Sequence, residues 1–268
     1  TQKKAIIGIT PSHNTENNDT SLRPTYPKAI AAAGGLPILL PLECSDEDIK
    51  QFMDVCDGFL FTGGPDINPF LFGEDTHLKC GNISAARDHL EFRLLSAAMD
   101  AGKPIFGICE VLGIKCRPWW KSVSGYPIPD RTGISYRTPA AFYYNIPCHR
   151  VNITENTLLH SICHGETQIA VNSSHHQCVH IPAPGLVVSA VAPDGIIELL
   201  KSLITRISSW ECSGIRNISG TEMRLLWDCF RHLWMRVNNI SLLSKPQFST
   251  DILQYDCFIH KLTFGFAH

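Results

Sequence analysis

Through the first 109 residues, short apolar runs alternate with amphipathic stretches in a regular order. Residues 5–10, Ala-Ile-Ile-Gly-Ile-Thr, form a continuous apolar run of strand length, as expected for a strand covered on both faces. Residues 27–33 predict a small-residue helix ending at Gly34-Gly35, and residues 36–40 predict the next strand. Ser45 is placed as N-cap of a helix through Met53, with Asp46, Glu47 and Asp48 in its first turn, where the helix dipole favours acids. Residues 58–61 predict a third strand. Ser84 opens a long helix with an apolar face of Leu90, Leu94, Leu95, Ala97 and Ala98, closed by Gly102. Residues 103–109 return to an apolar strand that stops on a Gly-Ile-Cys corner. Strand and helix alternate four times, which predicts an α/β fold with a mostly parallel central sheet and helices on both faces.

The second half changes character. Residues 149–154 alternate like a half-buried strand, residues 168–171 and 186–192 predict two more, and Pro193-Asp194-Gly195 is a turn between strands. This pattern predicts an antiparallel extension on one edge of the sheet. Two stretches break it. Residues 116–121, Cys-Arg-Pro-Trp-Trp-Lys, have no period and stand where a helix is due, and from about Leu199 onward the period fades. All five tryptophans (Trp119, Trp120, Trp210, Trp227 and Trp234) fall in these two stretches.

A chain of 268 residues is long enough for one large α/β domain with a sizeable core. A net charge of −2 gives no footprint for nucleic acid and no polybasic membrane anchor. No apolar run reaches membrane-span length and no signal peptide opens the sequence, so neither a membrane nor a secreted context is expected. Eleven cysteines at irregular spacing suit a reducing cytoplasm better than a disulfide framework.

Candidate chemistry lies where two of the predicted strands end. Cys109 stands at a strand-to-helix corner, where a helix N-terminus lowers a thiol's pKa and raises the thiolate fraction. By spacing alone, a buried strand-end cysteine is the competing reading. Gly63 and Gly64 follow the third strand, and their amides can approach a developing oxyanion closely, with the amide of Glu110 as a further donor. The competing reading is an ordinary turn stabilised by Pro65 and Asp66. Arg87, Asp88 and Glu91 share one helix, and the four-residue spacing of Arg87 and Glu91 predicts a surface ion pair. His175, His176, Cys178, Cys163 and His164 have the residue types for zinc but lack a recognised ligand spacing, so no metal site is expected.

Several strings carry a family resemblance: residues 6–10 (Ile-Ile-Gly-Ile-Thr), 33–37 (Ala-Gly-Gly-Leu-Pro), 62–69 (Thr-Gly-Gly-Pro-Asp-Ile-Asn-Pro), 87–91 (Arg-Asp-His-Leu-Glu) and 104–109 (Pro-Ile-Phe-Gly-Ile-Cys). Residues 145–147 (Asn-Ile-Pro), 172–177 (Asn-Ser-Ser-His-His-Gln) and 192–198 (Ala-Pro-Asp-Gly-Ile-Ile-Glu) continue it. On these residues the chain resembles the gamma-glutamyl-gamma-aminobutyrate hydrolase family, within the class I glutamine amidotransferase superfamily. The resemblance implies a flavodoxin-like class I glutamine amidotransferase fold spanning residues 1–239, with residues 240–268 an unassigned tail. It implies a cytoplasmic cysteine hydrolase that cleaves small-molecule gamma-glutamyl amides through a thioester on Cys109, without metal or organic cofactor. It places Asp66, His175, His176 and Gln177 at the substrate pocket, the two histidines lining it rather than acting as the base, and it implies a structural role near the site for Arg87, Asp88 and Glu91 as the alternative to a surface ion pair. It leaves room for a homodimer, and for a glutaminase domain that passes ammonia to a synthetase.

The chain departs from the family twice. After the nucleophile the family continues Arg-Gly into a helix and a Leu-Gly-Gly-x-Leu-Tyr-Gln-Asp block; here Glu110-Val111-Leu112-Gly113 leads to the Trp-Trp run. The family ends its catalytic domain with Gly-Val-Gln-Trp-His-Pro-Glu, which supplies the catalytic His and Glu, and this chain has no such string. Reverse translation accounts for both. Codons for residues 210–218, read from the third nucleotide, can give Gly-Val-Gln-Trp-His-Pro-Glu-Tyr. Codons for residues 116–126, read from the second, can give Ala-Ala-Leu-Gly-Gly-Ser-Leu-Tyr-Gln-Asp-Ile. Residues 228–235 can give Leu-Phe-Gln-Ala-Phe-Val-Asp-Ala in the same displaced frame as Trp210. The expectation is a gene with insertions or deletions near codons 110–127 and 198–200, which leaves residues 110–127 and 199–239 aberrant; a diverged helix and tail is the alternative. As it stands the chain lacks the triad His and Glu, and a catalytically dead pseudoenzyme or pseudogene product is the alternative function.

Overall fold

The computed structural model describes residues 3–78, 80–108, 123–125, 149–171, 178–182, 185–202 and 209–212. The chain begins with β1 (Ile6–Ile9) and a short polar hairpin, β2 (Ser12–Asn14) and β3 (Asp19–Ser21). It continues through α1 (Thr25–Ala32), β4 (Leu36–Leu39), α2 (Asp46–Val55) and β5 (Gly58–Phe61). A 3-10 turn (Pro69–Phe72) precedes α3 (Ala85–Asp100), which leads to β6 (Ile105–Ile108). The second half contributes β7 (Val123–Gly125), β8 (His149–Ile153), α4 (Leu158–Ile162) and β9 (Gln168–Val171). It closes with β10 (Cys178–Ile181), β11 (Leu186–Val191), β12 (Ile197–Ser202) and β13 (Ser209–Cys212).

Eleven of these strands form one sheet, ordered β4-β1-β5-β6-β13-β12-β11-β8-β9, with β10 joining β12 and β7. The pairs from β4 to β13 are parallel. From β13 onward β12, β11, β8 and β9 are antiparallel. This is the flavodoxin-like α/β architecture with an antiparallel extension that the sequence predicts. Each face of the parallel part has its own core. Ile7, Ile9, Leu60, Phe106 and Ile108 meet Tyr26, Ala29 and Ile30 of α1 and Leu159 and Ile162 of α4 on one side. Phe59, Phe61 and Ile105 meet Ile49 of α2 and Leu94, Leu95 and Ala98 of α3 on the other. Burial of apolar area on both faces is what holds a parallel sheet, each fully covered Leu or Phe contributing about 1.5–3 kcal/mol.

Local chemistry sets the element ends. Ser45 caps α2: its side chain accepts from the Asp48 backbone while the Asp48 carboxylate accepts from the Ser45 backbone, a complete capping box. The Ser45 hydroxyl and amide hold the Asp48 carboxyl below the usual range. Ser84 caps α3 through the amide of Arg87, and Gly102, at φ +64°, ends it in the left-handed region. Helix α1 starts two residues before the expected position; Pro27 fits its first turn because that amide would have no helical partner anyway. At the end of the described sheet, Leu36 N–H and Leu40 N–H donate to Ala5 and Ile9 of β1's side. The alternate positions, Pro37 and Leu39, therefore face outward, and Pro37 offers no N–H to an incoming strand.

The extension agrees with the expected pattern at β8, whose residues alternate between buried and exposed. It differs after residue 198. There the period fades, yet β12 runs on through Ser202 and β13 follows. Leu199 and Leu200 are both buried, at 4% and 1% exposure, so β12 is covered on both faces and carries no alternation to read. Trp119 and Trp120 and residues 240–268 lie outside the described residues.

Candidate active site

The C-terminal ends of β1 and β5 meet at two buried threonines. Thr10 follows β1 and Thr62 follows β5, and both have no solvent exposure. Thr10 N–H donates to Leu60 O at 3.0 Å, Thr62 N–H donates to Thr10 Oγ1 at 3.2 Å, and Thr62 Oγ1 donates to Thr10 O at 2.9 Å. These bonds carry the strand pairing one residue past the sheet and fix where the chain enters Gly63-Gly64. On β5's other side, Phe61 pairs with Gly107 of β6. Ile108, the last residue of β6, immediately precedes Cys109. Crevices at the carboxyl ends of parallel strands are where such sheets place ligands.

Below the loop lies an ion pair. Arg87 Nη2 is 2.9 Å from Glu91 Oε1, and both side chains are only 3% exposed. The expected surface pair is therefore a buried one, because Arg87 and Glu91 continue the inward stripe of α3 that Leu94 and Ala98 occupy. A buried pair of this kind is costly to break, about 3–5 kcal/mol when one partner is removed, because the other charge is left behind. Arg87 Nε also donates to Glu91 Oε1 at 3.1 Å, and Thr10 Oγ1 donates to the same oxygen at 2.6 Å. Arg87 Nη2 donates to Thr62 O.

The rest of the loop is pinned by carboxylates. Asp66 is buried, its Oδ2 accepting from Gly81 N–H at 2.7 Å while its own N–H donates to Asn82 O at 2.7 Å. The side chain expected at the substrate pocket is thus engaged with the returning arm of its own loop. Asp88 Oδ2 accepts from Asn68 N–H at 3.3 Å. Burial pushes the Asp88 carboxyl up to about 6, the Asn68 amide pulling the other way. Beside this, the β2–β3 hairpin is tied to the start of α3: His13 Nδ1 lies 2.6 Å from Ser84 Oγ, and His13 Nε2 lies 3.0 Å from Asn18 Oδ1.

Of the residues singled out from the sequence, Gly63, Gly64 and Asp66 are brought together with Arg87, Asp88 and Glu91. Cys109, Glu110, His175, His176 and Gln177 lie outside the described residues. Thr10, Thr62, His13 and Ser84 were not singled out as site residues. The signals for the threonines are a hydroxyl at the end of each of two apolar runs and their place in the strings at residues 6–10 and 62–69. Among the described cysteines, burial pushes the Cys56 thiol up to about 11 and raises that of Cys44, which makes neither a ready nucleophile. No three His, Cys, Asp or Glu side chains converge as a metal-ligand set among the described residues.

A parallel sheet with helices on both faces and an antiparallel extension is the architecture of a class I glutamine amidotransferase-like protein. The chain belongs to the peptidase C26 family, whose pattern matches residues 5–208. It is 33% identical over 185 residues to protein NtpR of Enterococcus hirae, covering 66% of this chain and 73% of that one. It is 29% identical over 201 residues to the gamma-glutamyl-gamma-aminobutyrate hydrolase PuuD of Escherichia coli K12, covering 72% of this chain and 78% of PuuD. In fold it is similar to the glutaminase domain of Trypanosoma brucei CTPS, with a TM-score of 0.59 at 12% identity, covering 92% of this chain and 98% of that domain. No helix among the described residues is long and apolar enough to cross a membrane.

Proposed function

We propose that the chain carries the nucleophilic half of a cysteine hydrolase acting on gamma-glutamyl amides. The Cys109 thiolate attacks the gamma-carbonyl carbon, and the amides of Gly63, Gly64 and Glu110 take up the negative charge on its oxygen. The C–N bond breaks, the amine leaves with a proton, and a thioester remains on Cys109. Water then hydrolyses the thioester to a free gamma-carboxylate and returns the thiol. Asp66, His175, His176 and Gln177 shape the pocket, Asp66 by holding its loop. In this reading no cofactor takes part, the substrate is a small molecule, and the protein works in the cytoplasm, with a homodimer compatible with the same chemistry. The observation that carries this reading is the locked Thr62–Gly64 segment at the edge where β6 ends one residue before Cys109. Similarity to PuuD supports the gamma-glutamyl amide as the substrate class. The test is release of p-nitroaniline from gamma-glutamyl p-nitroanilide by the full chain. Cys109→Ala is expected to abolish it; equal rates in the two proteins would refute the assignment.

A second reading, that the chain as it stands is a crippled descendant, is favoured by β13. This strand pairs in parallel with β6, Glu211 opposite Gly107 and Cys212 opposite Ile108, although the family pattern ends at residue 208. Codons chosen for residues 210–218 can give Gly-Val-Gln-Trp-His-Pro-Glu-Tyr in the displaced frame, which would put the histidine codon two to three positions beyond Cys212. That register supports a lost imidazole beside the strand that leads to Cys109. A positioned base contributes about 10²–10⁴-fold, which sets the scale of the expected deficit. Sequencing the coding DNA decides between the two: codons without displaced homology in the other frames would remove the case for a shifted gene.

A further inference from the structure

An oxyanion site needs donors whose direction is fixed before the reaction begins, and glycine is the residue least able to hold a direction by itself. Resting on the reading of Gly63 and Gly64 as oxyanion donors, we propose that Arg87 is the positioning residue that aims the Gly63 amide and braces Gly64 beside it. The Thr62 carbonyl and the Gly63 N–H belong to one planar trans peptide unit, so they point in opposite directions. Arg87 Nη2 donates to Thr62 O. The same contact therefore turns the Gly63 N–H away from the guanidinium and out of the buried network.

The guanidinium is itself held. Its Nε and Nη2 both donate to Glu91 Oε1, at 3.1 and 2.9 Å. Glu91 Oε1 also accepts from Thr10 Oγ1 at 2.6 Å, and Thr10 Oγ1 accepts from Thr62 N–H at 3.2 Å. The ring closes on Thr62, whose N–H and C=O are both fixed by it. All four residues are at most 3% exposed, so water does not compete for these bonds. Gly64 completes the device. A methyl group built on its Cα would overlap Arg87 Nη1, so the backbone lies directly against the guanidinium with no room for a side chain. A planar fork can bond a carboxylate and a carbonyl at once in fixed geometry; an ammonium on a flexible stem cannot.

The test uses the full 268-residue chain and two variants. Arg87→Lys keeps the charge and removes the fork, and Thr10→Val opens the ring at its other end, removing one hydrogen bond to Glu91 Oε1 while leaving both charges of the ion pair in place. Amide exchange is followed by NMR at Gly63 and Gly64 and, as a reference, at Leu60 and Ile105. In both variants the two glycine amides are expected to exchange at least about tenfold faster while the reference amides stay unchanged. Release of p-nitroaniline from gamma-glutamyl p-nitroanilide is expected to fall about 10–100-fold in kcat with KM within about twofold. Glycine amides that exchange at the parental rate in both variants would overturn the role of Arg87. Loosened amides with unchanged kcat would instead overturn the oxyanion assignment, leaving the hold on the loop intact. A parent chain without turnover counts against the hydrolase reading alone, because exchange still decides what Arg87 does.

Discussion

Arg87 and Glu91 show what a residue-level reading can and cannot extract. Their four-residue spacing is visible in the sequence, and so is the apolar stripe of Leu90, Leu94, Leu95 and Ala98. That the stripe continues inward through two opposite charges becomes legible only when α3 is seen to start beneath the Thr62–Gly64 loop. Polar residues in register with a helix's apolar face are the signal that was available. Gly64 gives a sharp prediction at this scale. Because a methyl group there would meet the guanidinium, Gly64→Ala is expected to cost about 1–3 kcal/mol or more in urea unfolding; a change under about 0.5 kcal/mol would contradict the packing. Asp88 gives a second. Its folded carboxyl is raised to about 6, so the folded state binds this proton more tightly than the unfolded one. Its contribution to stability is complete below about pH 4 and is lost as the pH rises through about 6. Asp88→Asn keeps an acceptor for Asn68 N–H and removes the titration. The variant's melting temperature is expected to rise relative to the parent between about pH 4 and 6, whereas parallel melting curves across that range would show that Asp88 is not the group responsible.

Elements with a clear period were legible, and those without one were not. The strands β1, β5 and β6 are short apolar runs, and α2 and α3 carry N-caps and a buried face, so their ends fall within a residue or two of expectation. The β2–β3 hairpin was missed because its strands, Ser-His-Asn and Asp-Thr-Ser, contain no apolar residue, and β3 is exposed throughout. What holds it is side-chain bonding of His13 to Ser84 and Asn18, which no hydrophobic pattern encodes. The end of β12 was lost for the opposite reason, since neighbouring residues are buried on both faces. The dependence of the sheet on α3 can be measured. Leu94 is fully buried against Phe59, Phe61 and Ile105's side of the sheet, and Leu94→Ala is expected to cost about 2–5 kcal/mol by equilibrium denaturation. A cost below about 1 kcal/mol would mean that α3 does not anchor the sheet in this way.

At the scale of the whole molecule, the two halves of the site stand differently. The loop that would receive an oxyanion is built from β1, β5 and α3, all within the matched family region, and hydrogen bonds of Thr10, Thr62, Arg87 and Glu91 tie these elements together. The sequence announced this half through its Gly-Gly-Pro-Asp string, although the threonine and arginine bonds behind it were not visible there. No catalytic base is identified among the described residues, and the string expected to supply one can be read from this sequence only with chosen codons in a displaced frame. The account therefore predicts a chain with an organised nucleophilic half and a deficient base, and the direct measurement is a comparison of rates. The full chain and the product of a frame-restored gene are each assayed for p-nitroaniline release from gamma-glutamyl p-nitroanilide, with Cys109→Ala as the control. The restored protein is expected to be faster by about 10²–10⁴-fold, with both activities lost on replacing Cys109. Equal rates in the two proteins, or activity that survives without the Cys109 thiol, would contradict the account.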